Sequence, residues 1–285
     1  MRSQLQWLAL LAVALFLVGG CVAASVLPMA SIAVTGVSKA SQASRPINDS
    51  EEYYVGRAVA ARIIGCYPLY QNARLNAYVN EVGATVARKS SRPETFRGYH
   101  FAVLDTTEIN AFACPGGTIF ITRGLIQTCS TEDQLAAVLA HEVGHVANKD
   151  GVNSISKARW TEVWTAMGAE AARQYGGVAG NLVTLFEGSI DDVFKTIAVN
   201  GYSRTAEEAA DKDAVATLAK AGYNPQALSQ MLNKMLAKEK GTSGGIFKTH
   251  PPTSERLAKL KAEASEAAPT KDEAARSKRF KEMTG

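Results

Sequence analysis

The segment Leu135–Val146, LAAVLAHEVGHV, constrains this chain more than any other. Leu135, Ala136, Val138, Leu139, Val143 and Val146 leave a helix here with no polar face, and such a helix belongs inside a protein. Yet His141, Glu142 and His145 lie within it, and buried imidazoles need partners. Residues at i and i+4 share one helix face, with Cβ atoms about 5–6 Å apart, so His141 and His145 can chelate one ion. Bonds of ~2 Å to imidazole nitrogen suit zinc. Glu142 is placed to take a proton from water at the open position of such a metal. The chain has only four histidines, so two in this register, with a glutamate between them, are poorly explained as an accident of an amphipathic helix. Thr131 and Gln134 match a capping box, and Glu132 and Asp133 suit the positive helix N-terminus. Gly144, poor for a helix interior, leaves room on the helix surface.

A catalytic zinc takes three protein ligands. His100 falls in a predicted strand and His250 precedes two prolines; no histidine follows His145 closely, so an acidic third ligand is expected. Glu162, Glu170, Glu187 and Glu207 are the candidates. Glu187 and Glu207 each have an aspartate four residues on, Asp191 and Asp211, and such an aspartate can hold the free ring nitrogen of a ligating histidine. Gly188 weakens Glu187, and Glu162 and Glu170 have no acidic partner at that spacing. Positions 207, 210, 211, 214 and 218 form a stripe of Glu, Ala, Asp, Ala and Leu. Two carboxylates among small apolar residues make a poor solvent face, whereas Glu208 and Lys212 can pair on the outside.

Around this pair of helices the pattern is mixed. Residues 50–89 read as helical, with Leu75, Tyr78, Val79, Val82 and Val86 spaced by three and four. His100–Leu104 and Thr118–Thr122 read as strands, with Pro115-Gly116-Gly117 as a turn. Helices are predicted over 131–148, 155–175, 181–199, 205–221, 225–239 and 253–266, and 271–285 reads as a charged, loosely packed tail. The fold class is α+β, a mostly helical body beside a small sheet.

Arg2 precedes an apolar run, Trp7–Val18, and then Gly19-Gly20-Cys21; the next charge is Lys39. A charged start, an apolar stretch and small residues describe a secretory signal, and small residues ending in cysteine resemble a bacterial lipoprotein signal with Cys21 lipidated. Residues 1–20 are thus expected as signal peptide and 21–49 as a flexible tether. Residues 50–266 are expected as the catalytic domain and 267–285 as tail. The exported compartment permits a disulfide among Cys66, Cys114 and Cys129. Cys114 and Cys129 flank a strand and are the favoured pair, with three free thiols nearly as well supported. The formal charge of +4 is spread along the chain. Arg276, Lys278, Arg279 and Lys281 cluster with acidic residues between them and read as a solvated helix face, not a nucleic-acid patch.

Four segments in order, NAFACPGG (110–117), LAAVLAHEVGHV (135–146), GYSRTAEEAAD (201–211) and THPPTSERLAKL (249–260), resemble the HtpX and CAAX prenyl protease family of zinc metallopeptidases, in its exported lipoprotein branch. The resemblance covers about residues 50 to 266. It implies a gluzincin-type fold and one Zn2+ per chain, held by His141, His145 and Glu207. It implies Glu142 as base and Asp211 behind a ligating histidine. Asn110, Ala111, Phe112 and Ala113 become the edge strand that pairs with an extended substrate. His250 either occludes the open zinc position or, with Arg256, steadies the oxyanion. The expected partners are polypeptides and a membrane, the outer one being the expected one, reached through the lipid anchor from the periplasm. Nucleic acid is not expected. The rival reading is a chaperone-like assembly factor whose zinc site is kept shut.

Overall fold

The structure, a computed structural model, describes residues 47–155, 190–239, 246–250, 254–264, 270 and 272–285. The expected signal peptide, most of the tether and Cys21 lie outside the described residues, as do Glu162, Glu170 and Glu187. Among the described residues no helix is long and apolar enough to cross a membrane.

The stretch 50–89 forms two helices, not one: α1 (Asp49–Cys66) and α2 (Ala73–Ala87). Asn48 and Glu51 close a capping box at the start of α1. The break holds Pro68, which has no amide hydrogen to continue a helix. There the chain turns to meet β1 (His100–Leu104), with Tyr70 N donating to Val103 O and Asp105 N to Pro68 O. The predicted stripe of α2 is the face that it buries. Two asparagines of α2 serve β1 as a neighbouring strand would: Phe101 N donates to Asn80 Oδ1 and Val103 N to Asn76 Oδ1. That satisfies one border of the sheet.

The sheet has the order β1-β3-β2, with β2 (Ala111–Ala113) and β3 (Thr118–Thr122) antiparallel and β1 parallel to β3. The edge expected at residues 110–113 is β2, which ends the sheet. Asn110 itself is a lead-in that exchanges hydrogen bonds with Thr122. After α3 (Arg123–Thr128) comes α4 (Glu132–Ala147), buried from Glu132 to Val146 and packed against α2, β2 and four later helices. Its cap differs slightly from expectation. Thr131 accepts from Gln134 N, but the Gln134 side chain accepts from Ser130 N, so the reciprocal bond is made one residue earlier. A short helix, α5 (Asp150–Asn153), follows. Then come α6 (Arg204–Ala221), α7 (Ala227–Glu239), α8 (Ile246–Thr249) and α9 (Ser254–Ala264).

Two expectations are overturned. Residues Glu273–Thr284 form α10 rather than a loose tail, and Phe280 is buried on the core. Of the basic residues there, Lys278, Arg279 and Lys281 are exposed as expected, but Arg276 is buried. Arg276 donates through Nε and Nη2 to Asp133, and Arg279 pairs with Glu132, so α10 neutralises the carboxylates that cap α4. Those carboxylates are buried, and a buried carboxylate without a cation is costly. Cys66, Cys114 and Cys129 are all free, so the favoured disulfide does not form.

Candidate metal centre

Two helices carry the centre, α4 with His141, Glu142 and His145 and α6 with Glu207 and Asp211. They pack closely because Gly144 removes the side chain between them. A Cβ there would lie 3.1 Å from Ala210 Cα and 3.2 Å from Ala210 O. The glycine suspected of making room on α4 is thus the point where α6 crosses it, and Ala210 follows Glu207 by three residues.

Each imidazole on α4 is oriented by a carboxylate at Nδ1. His141 Nδ1 lies 3.0 Å from Asp211 Oδ1, and His145 Nδ1 lies 2.8 Å from Asp150 Oδ2. Both Nε2 atoms therefore turn inward, 3.2 Å apart. Glu207 completes the group, with Oε2 3.5 Å from His141 Nε2 and Oε1 3.4 Å from His145 Nε2. His250 Nδ1 closes it, 3.3 Å from His141 Nε2 and 2.9 Å from Glu207 Oε1. A tetrahedral zinc with bonds of about 2.0–2.1 Å has ligand atoms about 3.3–3.4 Å apart. The observed separations, from 2.9 to 3.5 Å and shared between the two Glu207 oxygens, are of that order, and the donor set of three imidazoles and a carboxylate suits zinc. The four residues are buried, and they form a group able to hold a metal among the described residues.

The electrostatics reflect this crowding. Burial opposes a charged His141, but Asp211 and Glu207 outweigh it and lift its pKa to about 10. Burial alone would raise the Glu207 carboxyl; His250 foremost, then His141 and His145, hold it well below the carboxylate range. Burial likewise works against the Asp211 anion, and Arg256 and His141 reverse it.

Arg256 stands elsewhere than expected. Its Nε and Nη2 donate to the two oxygens of Asp211, and Nη1 lies 2.8 Å from Glu207 Oε2. The guanidinium is held by the carboxylates of Asp211 and Glu207, and it orients both.

Glu142 is buried at 1% exposure; its Oε1 lies 3.8 Å from His250 Nε2, and its Oε2 has no hydrogen-bond partner. A cavity beside it is lined by Val138, Leu228, Met231, Leu232, Met235 and Ile246, with His250 and Arg256 at its polar wall. Burial, and then the Glu142 charge, push the Cys114 thiol just after β2 above its usual range.

Two residues near the centre escaped the sequence reading. Asp150 was signalled by its spacing, five residues after His145. Tyr202 begins the GYSR segment. Its ring stacks on His145 with centroids 4.2 Å apart and planes 26° apart, and its hydroxyl is buried without a hydrogen-bond partner. Leaving a buried hydroxyl unpaired costs about 1–3 kcal/mol.

Comparison with known proteins bears on the same residues. The sequence profile of peptidase family M48 matches residues 73–264. The chain is 27% identical over 238 residues to the beta-barrel assembly-enhancing protease of Escherichia coli (strain K12), covering 80% of this chain and 46% of that protein. It is 26% identical over 183 residues to metalloprotease LoiP of the same strain, covering 64% and 66%. It is 28% identical over 153 residues to the mitochondrial metalloendopeptidase OMA1 of Schizosaccharomyces pombe, covering 53% and 42%. The chain thus spans about half the length of the first of these relatives, 46%.

Proposed function

The chain belongs to peptidase family M48, whose metalloproteases are zinc dependent, and from that premise we propose that it is an exported zinc metalloendopeptidase of the bacterial envelope, tethered to a membrane through lipidated Cys21. His141, His145 and Glu207 hold the metal. Asp211 and Asp150 fix the two imidazoles, and Arg256 holds Asp211 and Glu207 in place. When bound there, zinc supplies Lewis acidity, lowering the pKa of water toward ~7 and polarising the scissile carbonyl. Glu142 takes the proton of the attacking water and passes it to the leaving amine. The β2 edge receives the substrate as an added strand. Misfolded or unassembled envelope proteins are the substrates, a reading supported by the relatives named for β-barrel assembly and as metalloproteases.

The observation that carries this reading is the buried group of His141, His145, Glu207 and His250, its nearest donor atoms 2.9–3.5 Å apart, beside a Glu142 Oε2 without a hydrogen-bond partner among the described residues. Purified Glu142→Gln should keep zinc and lose cleavage of casein; cleavage at the wild-type rate would sink the mechanism. Glu207→Ala should lose the metal. Full zinc occupancy in that variant would return the third ligand to Glu162, Glu170 or Glu187.

His250 favours a second reading, a latent enzyme. Its Nδ1 lies 3.3 Å from His141 Nε2 and 2.9 Å from Glu207 Oε1, close enough to serve as a fourth ligand in place of water. Activity that rises in His250→Ala identifies a latent peptidase. No activity in either protein, with zinc bound to both, identifies an assembly factor with a closed site.

A further inference from the structure

The mechanism above leaves one buried polar group of the centre without a task, the hydroxyl of Tyr202. Its ring accounts for part of its position, because it stacks on His145 and lies 6.0 Å, centroid to centroid, from the His250 ring. A phenylalanine would stack as well. The hydroxyl adds nothing to that contact and finds no partner among the described residues.

The backbone holds this side chain firmly. Gly201, with φ at 81°, adopts a conformation that side-chain-bearing residues avoid. A Cβ at Gly201 would come within 2.4 Å of Thr249 O, so the residue before Tyr202 is pressed against the residue before His250. On the other side Ser203 caps α6 by accepting from Ala206 N. Tyr202 is therefore clamped between a turn and a helix start, two fixed points, and its hydroxyl is preorganised. Glu142, whose Oε1 lies 3.8 Å from His250 Nε2, likewise has a buried oxygen, Oε2, without a hydrogen-bond partner among the described residues, and it is an acceptor, while the phenol can donate. An acceptor for the water proton and a donor for the developing negative oxygen are the two groups that peptide hydrolysis needs from a protein.

We propose that Tyr202 is a catalytic residue whose hydroxyl donates a hydrogen bond to the carbonyl oxygen of the scissile peptide as that oxygen becomes negative. The role expected of Arg256 passes to Tyr202, since Arg256 is held by Asp211 and Glu207. No proton is transferred; the bond strengthens as charge builds on the oxygen. This inference rests on the peptidase reading.

The test compares full-length wild type, Tyr202→Phe and Tyr202→Ala. Tyr202→Phe should keep its zinc content and thermal midpoint, lose about 10²–10³-fold in kcat and change KM little. A phosphinic pseudopeptide, whose tetrahedral oxygen stands for the oxyanion, should bind Tyr202→Phe more weakly by a similar factor. Tyr202→Ala, which also loses the ring over His145, should lose zinc as well. An unchanged kcat in Tyr202→Phe overturns the proposal, and so does a loss of zinc matching that of Tyr202→Ala. If the wild type cleaves no peptide, the peptidase reading has failed, and equal binding of the pseudopeptide by wild type and Tyr202→Phe then rejects the hydroxyl's role separately.

Discussion

Asp150 Oδ2 lies 2.8 Å from Nδ1 of His145, although the helix that carries His145 ends before Asp150 is reached. The link depends on Lys149, which takes the left-handed conformation (φ 56°) and turns the chain back under the histidine. Lys149 is in turn anchored through Nζ to Asp49 at the start of α1. The orientation of one proposed ligand is thus tied to the first helix of the domain.

Asp150→Ala should weaken zinc binding about 10–100-fold, the usual effect of losing the partner behind a ligating histidine. Asp150→Asn, which keeps an acceptor oxygen, should lose less. Competition with a chelator reads both; equal affinity in wild type and Asp150→Ala would remove Asp150 from the site.

Gly144→Leu should separate α4 from α6, because even the first added carbon meets the Ala210 backbone at about the limit of contact. Displacing Glu207 costs the proposed site one ligand. Metal analysis of the purified variant should show zinc lost, while far-ultraviolet dichroism shows the helices retained. A variant with full zinc would mean that the crossing tolerates the bulk.

Cys66 should react with a maleimide in the native protein, and Cys114 and Cys129 should react only after unfolding. Cys66 is exposed and the other two are buried. Burial pushes the Cys129 thiol up to about 12, so thiolate, the reactive form, is scarce. Mass spectrometry of the labelled native chain checks this; rapid labelling of all three would place Cys114 and Cys129 at the surface.

Arg276→Ala should destabilise the domain by about 3–5 kcal/mol, since it leaves Asp133 buried without its cation. The Asp133 carboxylate also accepts from Asn224 N, so it cannot turn away to water. Lys278→Ala, at an exposed position, should change the midpoint of a urea titration little. Equal midpoints for the two variants would return α10 to the status of a tail.

Much of the centre was legible because it is local. His141 and His145 share a face through helix periodicity, and Glu207 and Asp211 do so on a second helix. The same periodicity foretold the buried stripe of α2. What was misread is where local pattern is weak. The residues of α10 look solvated by charge alone, since nothing in their own segment names Asp133 and Glu132 as partners 143 and 147 residues away. The break at Pro68 was passed over because apolar residues continue on both sides of it.

The sequence by itself determined the chemistry on offer, two imidazoles with a glutamate between them and a carboxylate pair one turn apart, because those relations depend only on the rise and twist of a helix. Only the tertiary structure decided how they meet. It placed Glu207 against α4 through the gap at Gly144, and turned Arg256 onto Asp211 and Glu207. It also set His250 beside His141 and Glu207 and brought Tyr202 over His145. Each of these depends on packing between helices far apart in the chain, and packing is settled by the whole set of shapes and buried charges that must be satisfied together.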